Sequence, residues 1–62
     1  MQILKNIKKG DYFIFPNGKT VYVANGYNRH TRKYGYTKFY DMNAYYEKQG
    51  SVLVLVDFPF DF

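Results

Sequence analysis

The stretch of this chain best equipped for chemistry is YNRHTRKYGYTKFY, residues 27–40. Here Arg29, His30, Arg32, Lys33 and Lys38 sit among five aromatic rings. Cations interleaved with rings are the pattern by which small β domains hold single-stranded nucleic acid. Guanidinium and ammonium groups neutralise phosphates while bases stack on the rings. In that reading Arg29, Arg32, Lys33 and Lys38 supply charge, and Tyr27, Tyr34 and Tyr36 are the platforms. Lys8, Lys9 and Lys19 would extend the basic face. The same residues also fit an acidic protein surface, or plain sheet-lining tyrosines behind a solvated turn.

Charge is distributed unevenly. The formal net charge is +4, yet residues 1–38 carry eight Lys/Arg against Asp11 alone. Residues 39–62 carry Lys48 against Asp41, Glu47, Asp57 and Asp61. A basic half of this kind favours a polyanionic partner.

Catalytic chemistry is poorly supplied. There is no cysteine and one histidine, so a cysteine nucleophile and the usual zinc sites are excluded. His30 with Ser51 is the one Ser–His combination, the first in an expected exposed loop and the second opening an expected buried strand. Asp41 with Glu47, or Asp57 with Asp61, could pair as carboxylates, but charges flanking strands are ordinarily solvated. The glycines are dispersed as turn residues rather than gathered into a phosphate loop. The expectation is a binding module without cofactor or metal, not an enzyme.

The elements that must position these side chains read as strands. Tyr12-Phe13-Ile14-Phe15 and Thr20-Val21-Tyr22-Val23-Ala24 flank Pro16-Asn17-Gly18, predicting a hairpin with strands near 11–15 and 20–27. A residue at positive φ is expected in Asn17-Gly18. Asn25-Gly26 reads as a bulge inside the second strand, and 28–33 as a loop. The returning strand, 33–40, places Tyr34, Tyr36, Lys38 and Tyr40 on one face, with Gly35, Thr37 and Phe39 on the other. Asp41 as N-cap and Gly50 past a C-terminus bracket one or two helical turns. The closing SVLVLVDFPFDF alternates, with Val52, Val54, Val56, Phe58, Phe60 and Phe62 predicted to face the core. Leu53 and Leu55 imply cover on both sides of its first half. Pro59, Asp57 and Asp61 suit an edge or a departing tail.

One domain spanning residues 1–62 follows, mainly β: a small, strongly bent antiparallel sheet or SH3-like barrel. Four to five strands are expected, the fifth at Gln2–Leu4, with one short helical turn. The start MQILKNIKK lacks the layout of a signal peptide and Val52–Val56 is far too short to cross a bilayer, so a soluble, cytoplasmic protein with no membrane contact is expected. Burial of Phe58–Phe62 between copies would make a homo-oligomer.

With these residues in view, the chain resembles a family of short, uncharacterised proteins of bacteria and their phages. The similarity runs over roughly residues 5–62. It is carried by Lys8-Lys9-Gly10-Asp11-Tyr12-Phe13, by Tyr27, Arg29, Lys33 and Tyr34, by Phe39, Asp41 and Asn43, and by Val52–Val56 with Phe58–Phe60. The resemblance brings no activity with it and implies only the small β fold.

Overall fold

The computed structural model describes residues 1–57. In chain order the elements are β1 (Gln2–Ile3), a 3₁₀ turn (Leu4–Asn6), β2 (Tyr12–Phe13), β3 (Tyr22–Asn28), β4 (Lys33–Lys38), β5 (Asp41–Lys48) and β6 (Leu53–Val54). All pairings are antiparallel: β2-β3-β4-β5 form one sheet and β1-β6 a second. Among the described residues a single bridge, Ile14 with Leu55, joins the two, and the strands do not close into a barrel.

The first hairpin forms as the sequence dictates, with Phe13 opposite Tyr22. Its turn differs in detail. The Gly18 N–H donates to the Phe15 carbonyl at 2.9 Å, which sets Pro16 and Asn17 at the corners. Neither Asn17 nor Gly18 has positive φ. Proline at the first corner and glycine at the fourth position suit a type I turn, whose corners both keep negative φ. A side chain at Gly18 would meet Phe15 only at ordinary distances, so this glycine is replaceable.

The bulge at Gly26 is present. Pairing steps from Ala24–Tyr36 to Gly26–Gly35, leaving Asn25 unmatched, and Gly26 sits at φ 92°. Only glycine adopts that angle without steric cost, so the kink is written at one residue. Its effect is to keep Tyr27 on the same face as Tyr34.

The expected helix at 41–49 is instead β5. Asp41 does not cap a helix: its Oδ1 accepts the Asn43 N–H at 3.3 Å. Tyr46 then pairs across from Tyr36, their rings stacked at 5.7 Å. A segment with two adjacent tyrosines beside an open strand edge gains cross-strand ring contact that one lone helical turn could not match. The one helical turn of the described residues is the 3₁₀ turn at Leu4–Asn6. Likewise Tyr40 leaves the strand: β4 ends at Lys38, and Tyr40 is exposed in the β4–β5 turn.

The core is one cluster of Leu4, Phe13, Ala24, Tyr36 and Val54. It lies between the β1-β6 pair and one face of the larger sheet. Phe13, Phe15, Tyr22, Tyr36 and Tyr46 interlock there at centroid separations of 4.9–6.3 Å. Of the closing segment, Val54 faces inward as expected. Val56 is exposed and so is Leu53: β6 is two residues long and, among the described residues, pairs with β1 alone. Phe58, Pro59, Phe60, Asp61 and Phe62 lie outside the described residues.

Candidate functional site

Three segments distant in sequence meet beside the β3–β4 turn. The 3₁₀ turn brings Lys5, with Ile3 before it. The turn and β4 bring Thr31, Arg32, Lys33 and Tyr34, and the β5–β6 connection brings Gln49, Gly50 and Ser51. Together they line an open cleft of about 420 Å³. Lys5, Arg32 and Lys33 give it three cations, and among the described residues no acidic one lines it.

Backbone hydrogen bonds fix the walls. The Lys5 N–H donates to the Gly50 carbonyl at 3.0 Å and the Leu4 N–H to Val52 at 2.9 Å. Gly50 lies so close to the Tyr34 ring and the Lys5 side chain that an added Cβ would fall within 2.8 Å of both. A glycine expected to end a helix is therefore a close-approach position, and it lets the aromatic wall and the lysine pack against one strip of backbone.

The turn itself is held by its own polar groups. The Arg32 N–H donates to the Asn28 carbonyl at 2.8 Å, and the His30 N–H to Asn28 Oδ1 at 2.9 Å. Arg32 adopts φ 60°, the one non-glycine residue at positive φ among the described residues. From β5, Glu47 Oε2 accepts from Asn28 Nδ2 at 2.9 Å, Thr31 Oγ1 at 3.0 Å and the Tyr45 hydroxyl at 3.0 Å. Desolvation pushes this carboxyl up. The donors on Thr31, Tyr45 and Asn28, with Lys33 nearby, outweigh that effect and hold it below the usual range. Burial, then donation to Glu47, pushes the Tyr45 phenol up.

This anchor has a pH signature. A carboxyl lowered in the fold adds stability above its unfolded value of about 4.3, and that contribution disappears as pH falls through the lowered folded value. Parent and Glu47→Gln should therefore differ most in melting temperature near neutrality and converge in acid. A gap that stays constant from pH 7 to 3 would remove Glu47 as the anchor.

The residues expected from sequence divide into two groups. Arg32, Lys33 and Tyr34 line the cleft, and Tyr27 stands beside it, about half exposed, its ring 5.1 Å from that of Tyr34. Arg29 is exposed on the same turn but does not line the cleft. Tyr36 is no platform. It is 4% exposed, packed among Phe13, Phe15, Tyr22 and Tyr46. Lys38 closes the far end of β4, roughly 17 Å along the strand from Lys33. There the Tyr46 hydroxyl, and then Tyr40, raise its ammonium pKa.

Ser51 is in an exposed turn, not on a buried strand, and Asp41 and Glu47 occupy opposite ends of β5. No group of three His, Cys, Asp or Glu side chains suited to a metal occurs among the described residues, and no helix there is long and apolar enough to cross a membrane. Sequence reasoning missed Lys5, Gln49, Gly50 and Glu47. Pairing the expected strand at Gln2–Leu4 with the last strand would have placed Lys5 beside Gly50. Nothing local marks Glu47. No family model, curated protein or solved structure matches the chain.

Proposed function

We propose that this chain is a non-enzymatic module that binds nucleic acid, holding a single strand in the cleft between the β3–β4 turn and the β5–β6 connection. One observation carries this reading: Lys5, Arg32, Lys33 and Tyr34 line one cleft, with no acidic residue among its described lining. Phosphates meet the cations, and an unpaired base reaches the edge of the Tyr27–Tyr34 ring pair. A base inside a duplex stack cannot do so.

The reading is tested by titrating labelled single-stranded DNA, duplex DNA and RNA at several salt concentrations. With about three phosphate charges engaged on a single strand, log affinity should fall against log salt with a slope of about −2, from roughly −0.7 per contact. Lys33→Gln should flatten that slope by somewhat under one unit and leave the melting temperature nearly unchanged. Absence of binding to all three at ~50 mM salt would dispose of the proposal.

A second reading has its own support. β5 is an eight-residue edge strand without proline, with Met42, Tyr45 and Tyr46 exposed along it. Such an edge can accept a strand from a protein partner or from another copy of the chain. It becomes the leading reading if nucleic acid does not bind.

A further inference from the structure

We infer that the cleft selects a phosphomonoester, so that its ligand is the phosphorylated end of a single strand rather than an internal stretch. This rests on the nucleic-acid reading above and adds to it a chemical group.

Charge density favours such a group. Lys5, Arg32 and Lys33 surround a cleft of about 420 Å³, near the small end of the range for small-ligand sites. A cleft of that size admits about one nucleotide. Glu47, bonded to Thr31 and near Lys33, already offsets one of the three cationic charges, which leaves about two. An internal phosphodiester brings a single negative charge, whereas a phosphomonoester brings close to two near neutral pH and three acceptor oxygens. The terminal nucleotide therefore balances the cleft where an internal one does not.

The donor set favours it too. The Gly50 and Ser51 backbone N–H groups have no hydrogen-bond partner among the described residues, although both residues line the cleft. Successive free amides in a turn favour an anion with several oxygens, and the Ser51 hydroxyl adds a donor.

The cleft wall is also preorganised. Arg32 is held at φ 60° by the bond from its N–H to Asn28, a conformation that costs a non-glycine residue free energy. The bond that offsets this cost fixes the start of β4 at the wall of the cleft.

The test compares one oligonucleotide sequence bearing a 5′-phosphate, a 3′-phosphate or hydroxyls at both ends, by fluorescence anisotropy at ~50 mM salt. One phosphorylated end should bind at least about tenfold more tightly at pH 7.5. That advantage should shrink below pH ~6, as the monoester takes up its second proton. Lys5→Gln, at an exposed position, should erase most of the advantage without shifting the melting temperature. Equal affinity for all three oligonucleotides would overturn the inference while leaving the nucleic-acid reading intact. Failure of all three to bind would overturn both. An advantage untouched by Lys5→Gln would also overturn it, since the phosphate would then sit elsewhere.

Discussion

Val54→Asp should leave the chain unfolded, with no cooperative thermal transition by circular dichroism. Val54 is 0% exposed and packs in one cluster with Leu4, Phe13, Ala24 and Tyr36. Among the described residues no buried basic side chain is available to pair with a carboxylate there. Burying an unpaired charge costs several kcal/mol, or forces protonation at a similar penalty. A core of this size supplies only about 3–5 kcal/mol in total. Asp57→Asn, three positions along on an exposed residue, should change stability by only a few tenths of a kcal/mol. A cooperative melt from Val54→Asp would mean that the side chain at 54 does not face the core.

Tyr36→Ala should also abolish folding, which is opposite to what a stacking platform would do. The ring meets four others, and truncating a buried aromatic costs about 3–5 kcal/mol, as much as the domain has. Tyr36→Phe keeps the ring and separates packing from titration. Burial, with Tyr22 and Tyr46 adding, pushes the Tyr36 phenol up to about 12. A group raised in the fold gives stability that is complete below its unfolded value of about 10 and is lost as pH rises through the folded one. The parent should therefore lose stability between pH 10 and 12, and Tyr36→Phe should lose less of it. If Tyr36→Ala melts like the parent and only weakens binding, the ring belongs to the surface.

Sequence made legible what depends on near neighbours. Alternation and the Pro16-Asn17-Gly18 turn marked the first hairpin, Gly26 marked the bulge, and the polar run after Asn28 marked the β3–β4 turn. What depended on distant pairing was hidden. Asp41 and Gly50 carry true helix-boundary chemistry, yet the open edge of β4 and the Tyr36 ring, both made elsewhere, decide in favour of a strand. The cleft shows the same division. Arg32, Lys33 and Tyr34 were visible because they are contiguous, whereas Lys5 and Gly50 meet only through the pairing of β1 with β6. Period two told which tyrosines share a face but not which face is covered, so Tyr34 and Tyr36 looked alike. Phe15, from the turn of the first hairpin, packs over Tyr36 and makes the difference.

The pairing of Gln2 with Val54 joins positions near the two ends of the described chain. Closing that loop of about fifty residues costs roughly 2 kcal/mol more entropy than closing the four-residue β3–β4 turn. The hairpins can therefore assemble before the two-stranded sheet does. Lys5 and Gly50 meet through that pairing. During synthesis the β3–β4 ribbon can be complete while the cleft does not yet exist. If the proposed ligand binds there, its capture would report a completed fold.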